Sequence, residues 1–225
     1  AMNVVSLFSG IGGLDQGFTD AGYNVIWAND FDQYAAQTYN LNNPDGIMHL
    51  GDINEIPIEE IPPHDVLIGG FPCQPFSMMG EQRGFEDTRG TLFFRIAEII
   101  NYQVEHDRAP RVIVLENVRR LLTHDNKHTF ATIKRSLEGL GYKVFYTVLN
   151  SADYGVPQVR NRLFIVCFRN SDVDFEYPEA QELTMDMRDI LERKVDEKYY
   201  LSEKVKPTIL SDGTGGYVAK SEINQ

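Results

Sequence analysis

Short runs of β-branched and aromatic residues alternate with longer stretches of helical periodicity, and this alternation constrains the fold more than any other feature of the sequence. Strands and helices in alternation predict a parallel sheet that is covered by helices on both faces. The last two strands follow each other without a helix between them, which predicts an antiparallel edge. We therefore predict an α/β fold with a doubly wound, mostly parallel sheet. The predicted strands are 4–8, 23–27, 65–69, 111–115, 142–149 and 162–168, and the predicted helices are 13–21, 32–41, 91–105 and 127–139.

Ligands of an open α/β sheet bind outside the carboxyl ends of its strands. This rule selects four segments of the chain, and the chemically distinctive residues fall within them. Because each segment directly follows a predicted strand, we expect the four to meet at one edge of the sheet. The segments are 8–13, 29–32, 69–77 and 116–118.

The first segment, 8–13, is a glycine-rich turn between the first strand and the first helix. Its glycines permit a tight turn and the close approach of a ligand to main-chain N–H groups. The spacing differs from the dinucleotide fingerprint GxGxxG, because position 15, where the third glycine would stand, is aspartate. A pyrophosphate is therefore not the expected ligand. A purely structural turn is an equally good interpretation of the segment taken alone.

A carboxylate and an aromatic ring stand at the end of the second strand. Asp30 lies where a doubly wound fold places an acid for ribose hydroxyls. Phe31 is suited to lie against an adenine ring, and Asp52 is suited to accept from an exocyclic amine. A nucleoside site without a pyrophosphate turn favours S-adenosylmethionine over NAD. The alternatives are that Asp30 is only a helix N-cap and Phe31 only a core residue.

The third segment, GGFPCQPFS, places Cys73 in a stiff loop after a buried strand. Pro72 and Pro75 restrict the backbone on both sides of the thiol. Glu116 ends a strand that the topology places nearby, and a thiol beside a carboxyl group is a plausible nucleophilic site. An inert cysteine in a proline turn is the alternative. Cys167 lies in an apolar run and is predicted to be a small buried hydrophobe, and the two cysteines suggest neither a disulfide framework nor a metal site.

The ordered set of motifs resembles the DNA (cytosine-5)-methyltransferase family, in the bacterial form found in restriction-modification systems. The motifs are FSGIG at 8–12, GFPCQ at 70–74, ENV at 116–118 and QVRNR at 158–162, with further agreement over 84–94 and 149–157. They cover the chain from residue 3 to about residue 170. The resemblance implies the Rossmann-like fold of S-adenosylmethionine-dependent methyltransferases and an enzyme that methylates carbon 5 of cytosine in DNA.

The resemblance also implies a covalent mechanism with named residues. The thiolate of Cys73 would add to carbon 6 of cytosine, so that carbon 5 becomes nucleophilic and attacks the sulfonium methyl. Glu116 would hold N3 and the exocyclic amine, and Asn117 would help to shape the pocket. Arg160 and Arg162 would contact the base oxygen or a nearby phosphate and favour the thiolate. The alternative for the two arginines is a pair of surface residues at the start of an edge strand.

For the cofactor, the resemblance implies contacts with each part of S-adenosylmethionine. The target base would be flipped out of the duplex, at a cost of a few kcal/mol. The loop 77–90, with glycines as hinges, is predicted to close over DNA. The implied cofactor residues are Phe8, Gly10, Gly12, Gly13, Leu14, Asp30, Phe31, Asp52, Ile53, Pro72 and Leu92, and the expected DNA-binding residues are Gln74, Ser77, Arg83 and Arg89.

After the last motif, the sequence predicts a second region that differs from the catalytic domain in composition. We expect a catalytic S-adenosylmethionine-binding domain at 1–170, followed at 171–225 by an acidic linker and the start of an incomplete target-recognition region. The net charge of −12 argues against non-specific attraction to nucleic acid. The resemblance implies two further motifs, the last of which completes the cofactor pocket, and neither is identifiable here. We therefore expect a C-terminal segment or second chain to complete the protein, which would be a monomer when complete.

Other partners and alternative functions follow from the same sequence. Double-stranded DNA is the expected partner, no membrane-spanning run or signal peptide is evident, and a cytoplasmic location is expected. Two alternatives to the leading function stay open. One is the same chemistry on a tRNA cytosine, and the other is a non-catalytic subunit with the methyltransferase fold.

Overall fold

A computed structural model describes residues 2–8, 13–44, 46–71, 92–149, 162–169, 181–182 and 208–209. Within these ranges nine strands form one sheet in the order β3-β2-β1-β4-β5-β7-β6-β8-β9. The strands are β1 (Asn3–Leu7), β2 (Asn24–Asp30), β3 (Met48–Leu50), β4 (Val66–Gly70), β5 (Val112–Val118), β6 (Tyr142–Leu149), β7 (Arg162–Arg169), β8 (Gln181–Glu182) and β9 (Thr208–Ile209).

The first five strands are parallel, and β7 pairs antiparallel with both β5 and β6. This confirms the predicted α/β fold with a mostly parallel sheet and an antiparallel part. The chain-order pattern did not show that β7 lies between β5 and β6. That insertion places the start of β7 beside the carboxyl end of β5, where Arg162 is opposite Val118.

Four α-helices and two 3-10 helices connect the strands in the described ranges. Asp32 begins the second α-helix, where its carboxylate accepts hydrogen bonds from the N–H groups of Tyr34 and Ala35. None of the helices in these ranges is long and apolar enough to cross a membrane. The α-helices are α1 (Gly13–Asp20), α2 (Gln33–Asn42), α3 (Leu92–Glu105) and α4 (His128–Gly139), and the 3-10 helices are Ile58–Glu60 and Arg119–Leu122.

The central strands β1, β4, β5 and β7 are buried on both faces, as expected for a sheet between helices. In β4, Leu67 points into a core cluster that also contains side chains of α3 and α4. Its neighbours Val66 and Ile68 point into a second cluster, which contains Phe18 of α1. Cys167 of β7 is fully buried, which confirms its predicted place in the core.

The end of β5 and the presence of β3 differ from the prediction, because pairing within the sheet determines both. The strand β5 continues to Val118, since Gly70 of β4 is paired with Glu116 and β7 is paired as far as Arg162. Glu116 and Asn117 therefore lie within a strand and not after it. The unpredicted strand β3 has only three residues and too short a pattern to be recognised, and it forms by pairing with the end of β2.

A buried histidine at the amino-terminal edge of the sheet makes the stability of the fold depend on pH. His64 is buried just before β4, and its Nδ1 lies 2.7 Å from the carbonyl oxygen of Pro62. Burial is the main cause that lowers the pKa of His64 to about 4. The unfolded chain therefore takes up a proton on this residue below pH ~6.5, while the folded chain stays neutral until about pH 4.

We expect His64 to make the fold sensitive to acid. Because its pKa is lower in the folded state, the stability that it contributes above pH ~6.5 is lost as the pH falls toward 4. Between pH 7 and pH 4.5 the loss is about 2.5 kcal/mol. Urea unfolding of the wild type and of His64→Gln should show this extra pH dependence only in the wild type. His128→Gln, a substitution at an exposed histidine, is the matched control, and equal pH dependence in all three proteins would contradict the prediction.

Candidate active site

The described residues of the candidate site lie along the carboxyl edge of the parallel strands. Phe8 follows β1, Asp30 ends β2, Phe71 follows β4, and Glu116 lies near the end of β5, with Arg162 beside it on β7. The backbone of Gly13 and Leu14 begins α1. The remaining predicted site residues lie outside the described residues and stay predictions. They are Gly10, Gly12, Pro72, Cys73, Gln74, Ser77, Arg83, Arg89 and Arg160.

Glu116 and Arg162 form an ion pair across β5 and β7. Arg162 Nε donates to Glu116 Oε2 at 3.0 Å, and each side chain is 23% exposed. No described residue donates a hydrogen bond to Glu116 Oε1. On β4, a Cβ atom added to Gly70 would lie 3.8 Å from this oxygen. Among the described residues, Arg162 therefore holds Oε2, while Oε1 has no hydrogen-bond donor.

Asn117 anchors the start of the segment that leads to Cys73. Its Nδ2 donates to the carbonyl oxygen of Phe71 at 2.6 Å, and its Oδ1 accepts from the N–H of Val118 at 2.7 Å. The N–H of Phe71 in turn donates to the carbonyl oxygen of Glu116 at 3.3 Å. Asn117 is 1% exposed, so these bonds form away from water. The asparagine thus fixes the point at which the chain leaves β4, two residues before Cys73 in the sequence.

We expect Asn117→Asp to destabilise the protein at neutral pH and less so in acid. The substitution puts a carboxylate oxygen against the Phe71 carbonyl, and a buried acceptor without a donor costs about 1–3 kcal/mol. Protonation of the new carboxyl group restores a donor, so the destabilisation relative to wild type should shrink between pH 7.5 and pH 5. Urea unfolding at both pH values measures it. Asn24→Asp, at an exposed asparagine of β2, is the matched control, and a pH-independent difference for Asn117→Asp would contradict the prediction.

The end of β2 presents a carboxylate between two exposed apolar side chains. Asp30 is 5% exposed, and its Oδ1 accepts from the N–H of Asp32 at 2.9 Å. Phe31 is 69% exposed, and Leu50, which is paired with Asp30 across β2 and β3, is 52% exposed. The alternative that Phe31 is a core residue is therefore wrong. The cap of α2 is Asp32, so the alternative that Asp30 is its N-cap is wrong as well.

The segment after β3 is held by bonds that the sequence did not reveal. Asp52 is exposed, and its Oδ1 accepts from the N–H of Asn54 at 2.9 Å. The side chain of Ile53 is buried in the core, which leaves only its main chain for a ligand.

On α3, Arg95 donates to the carbonyl oxygens of Ile53 at 3.1 Å and of Ile56 at 2.9 Å. Leu92, at the start of the same helix, is partly buried against the core.

Asn29 is a second positioning residue that the sequence pattern concealed. It stands in β2 next to Asp30, fully buried, and its Nδ2 donates to the carbonyl oxygens of His49 at 2.9 Å and Gly51 at 3.0 Å. These bonds tie the end of β3 to β2. The available signal was a polar residue in a strand that is otherwise apolar, directly before the predicted carboxylate.

A buried acid, Asp15, connects the two elements that flank the glycine-rich segment in the sequence. Asp15, in the first turn of α1, is 3% exposed, and its Oδ1 accepts from Ser6 Oγ of β1 at 2.6 Å. Burial is the main cause that raises the pKa of Asp15, against the opposing hydrogen bond from Ser6. Phe8, between them in the chain, has a left-handed backbone with φ +57°, which is rare for a bulky residue. In the sequence, Asp15 serves only to distinguish this turn from a dinucleotide turn, whereas in the fold it joins β1 to α1.

The described residues fit a nucleoside cofactor better than a metal ion. No group of three or more His, Cys, Asp or Glu side chains in the described ranges is placed to hold a metal. By contrast, Asp30 offers a carboxylate at a strand end, and Phe31 and Leu50 offer exposed apolar surface next to it. A carboxylate beside apolar surface suits the hydroxyls of a ribose and the face of an adenine.

Comparison with known proteins gives concordant results for nearly the whole chain. The family model of the C-5 cytosine-specific DNA methylases matches residues 2–223, so the similarity extends beyond residue 170, where the sequence motifs end. The chain is 42% identical to the type II methyltransferase M.NgoBI of Neisseria gonorrhoeae over 96% of its own length and 70% of that protein. It is 43% identical to the type II methyltransferase M.HaeII of Haemophilus aegyptius over 93% of its length and 64% of that protein.

Solved structures share the fold at lower sequence identity. A DNMT2 variant of Spodoptera frugiperda superimposes with a TM-score of 0.63 at 22% identity, covering 83% of this chain and 56% of that one. A putative DNA modification methyltransferase encoded within an Escherichia coli prophage superimposes with a TM-score of 0.57 at 22% identity, covering 83% and 59% of the two chains. The chain therefore spans a little over half the length of these structures.

Proposed function

Because the chain belongs to the C-5 cytosine-specific DNA methylase family, we propose that it transfers a methyl group from S-adenosylmethionine to carbon 5 of a flipped-out cytosine in duplex DNA, through a covalent adduct of Cys73 with carbon 6. One observation supports this most strongly. Glu116 has one carboxylate oxygen that receives no hydrogen bond from a described residue, and it lies beside the anchored start of the segment that carries Cys73.

In this proposal Glu116 and Arg162 orient the base. Glu116 Oε1 accepts from the exocyclic amine of cytosine, and the carboxyl group favours protonation of N3 as the thiolate adds. Arg162, which holds Oε2, keeps the carboxylate plane fixed and lies close enough to contact the base oxygen or a nearby phosphate. Asn117 acts through Phe71 and positions the loop of Cys73.

The bonds made and broken in this mechanism balance. The Cys73 thiolate forms a bond to carbon 6, and the electron pair of the 5,6 double bond becomes available at carbon 5. Carbon 5 would take up the methyl group as the carbon–sulfur bond of the sulfonium breaks, and the electron pair of that bond would stay on the sulfur, which leaves as a neutral thioether. Carbon 5 would later lose its proton to water or another base, and the pair left behind would restore the double bond as the thiolate leaves carbon 6. Arg160 is proposed to help favour the thiolate form of Cys73.

The chain offers residues for each part of S-adenosylmethionine. When bound, this cofactor supplies an electrophilic methyl group on a sulfonium. Asp30 is proposed to accept from the ribose hydroxyls, Phe31 to lie against the adenine and Asp52 to accept from its amine. The turn around Phe8, closed by the bond between Ser6 and Asp15, is proposed to face the methionine part, with the flanking residues Gly10, Gly12, Gly13, Leu14, Ile53, Pro72 and Leu92 completing the walls.

Binding of DNA involves the segment between Cys73 and α3. We propose that Gln74, Ser77, Arg83 and Arg89 contact the duplex when the loop 77–90 closes. A tRNA cytosine is the second candidate substrate, because no contact among the described site residues distinguishes DNA from RNA.

Transfer of a labelled methyl group tests the proposed function. The chain is incubated with S-adenosylmethionine carrying a tritiated methyl and with either mixed-sequence duplex DNA or transcribed tRNA, followed by nucleoside analysis. We expect label in 5-methylcytosine from DNA and none from tRNA. Label in N4-methylcytosine or in tRNA alone would overturn the reaction or the substrate, and the absence of label from both would favour the non-catalytic alternative.

A further inference from the structure

Two arginines follow the candidate site on β5. Arg119 and Arg120 come directly after Glu116–Val118 in the chain and begin the 3-10 helix Arg119–Leu122. Both side chains are exposed. Within the part of the chain that the structure describes, neither guanidinium takes part in an ion pair or a hydrogen bond. Two positive charges without an ion-pair partner among the described residues therefore stand within four residues of the carboxylate that is proposed to hold the base.

The backbone that carries the pair is fixed. Leu121 is fully buried in the core cluster, so it anchors the short helix against the sheet. The carbonyl oxygen of Arg120 accepts from the N–H groups of Thr123 at 3.1 Å and His124 at 3.0 Å. Only the side chains of the two arginines remain to be ordered by a ligand, which limits the entropy lost on binding.

Charge along this edge of the sheet is divided between its two ends. Among the described residues, Asp30, Asp32 and Asp52 stand at the β2–β3 end, whereas Arg119 and Arg120 stand at the β5 end. Strands β1 and β4 lie between β2 and β5, and at about 4.8 Å per strand β2 and β5 are about 14 Å apart. The positive charge of Arg162 is compensated by Glu116. In a chain of net charge −12, Arg119 and Arg120 therefore offer a polyanion two local positive charges, whereas Asp30, Asp32 and Asp52 offer it only negative ones.

We propose that Arg119 and Arg120 bind two phosphates of the duplex DNA strand next to the flipped cytosine. This inference rests on the proposed function, which brings the backbone of the target strand to Glu116. Residues of a 3-10 helix follow each other at 3.0 per turn, so the two side chains diverge by about 120°. Diverging guanidinium groups suit one phosphate each and do not suit bidentate contact with a single phosphate.

The salt dependence of DNA binding tests this inference. Fluorescence anisotropy measures the affinity of the chain for a labelled duplex at several salt concentrations, for wild type and R119Q/R120Q. We expect the slope of log K against log salt to decrease in magnitude by about 1.8, which is about 0.9 for each lost phosphate contact. Because phosphate contacts carry no sequence information, the loss should be equal on two unrelated duplexes.

Two control variants separate charge at this place from other effects. R111Q removes an exposed arginine just before the amino end of the same strand, and it should keep the wild-type slope. R119K/R120K retains both charges and should keep most of the slope. If R119Q/R120Q melts below wild type, the lysine variant still isolates the role of charge.

The outcomes distinguish this inference from the proposed function. If the wild type methylates and binds DNA but R119Q/R120Q keeps the wild-type salt slope, the inference alone is overturned. It is also overturned if R111Q reduces the salt slope as much as R119Q/R120Q does. A loss confined to a tRNA stem-loop overturns the assignment to DNA. A wild type that neither methylates nor binds DNA overturns the proposed function and this inference together.

Discussion

Cys73→Ser should abolish both methyl transfer and covalent trapping, and this is the largest effect that we expect from any single substitution. A duplex containing 5-fluorocytosine should form a stable adduct with the wild-type chain in the presence of S-adenosylmethionine, because fluorine cannot leave carbon 5 as a proton does. Serine is far less ionised than cysteine at neutral pH and is a weaker nucleophile. Turnover should fall by at least about four orders of magnitude, as when other covalent enzymes lose their nucleophile.

The other cysteine provides the matched control for this experiment. The sequence contains two cysteines, and Cys167 is fully buried in β7, where burial raises the pKa of its thiol. Cys167→Ala should therefore leave the adduct unchanged, as judged by denaturing electrophoresis and by mass of the conjugated peptide. An adduct that still forms with Cys73→Ser, or one that maps to Cys167, would contradict the mechanism in which the Cys73 thiolate is the nucleophile.

Glu116→Gln should lower the rate of methyl transfer about 10²- to 10³-fold while leaving DNA affinity nearly unchanged. General acid-base groups contribute about 10²–10⁴ in rate. The side-chain amide of the glutamine has one acceptor oxygen, so it can accept a hydrogen bond either from Arg162 or from the exocyclic amine of the base. If its oxygen faces Arg162, its NH₂ group opposes the exocyclic amine of the base, and if its oxygen faces the base, its NH₂ group opposes the guanidinium. Single-turnover rates with bound DNA measure the effect separately from binding.

A distant glutamate controls for the change in net charge. Glu105→Gln removes an exposed carboxylate at the end of α3 and should leave the rate unchanged. The melting temperature of Glu116→Gln should stay near that of wild type, because the pair with Arg162 is partly exposed and contributes little to stability. A weakened DNA affinity with an unchanged single-turnover rate would argue for a binding role and against a role in the chemical step.

The local sequence was sufficient for most elements of the fold. The six predicted strands and four predicted helices fall within a few residues of elements of the structure, since hydrophobic periodicity and helix boundaries are local properties. The two-residue strands β8 and β9 and the two 3-10 helices were not predicted. The division at residue 170 stays a prediction, because only 181–182 and 208–209 are described beyond β7. The strand β3 was missed because its three residues are ordered by pairing with β2 and not by their own pattern.

The candidate site divides in the same way. Asp30, Phe31, Glu116 and Asn117 were found from the sequence because they stand at or near strand ends, and strand ends can be located from local patterns. The contacts of Asn29, Arg95 and Asp15 were not found, since each bonds to backbone or side chains of another element. In a linear sequence such residues differ little from ordinary surface polar residues.

The sequence by itself determined the alternating fold, the edge of the sheet at which chemistry takes place, and the residue types available there. Tertiary structure decided which of those residues meet. Glu116 and Arg162 are 46 residues apart, as are Asn117 and Phe71, and both contacts depend on the register of β5 with its two neighbours. Register is set by pairing between strands that are distant in the chain, and a shift of one residue turns every side chain to the other face. For that reason no local pattern could show that Arg162 holds one oxygen of Glu116.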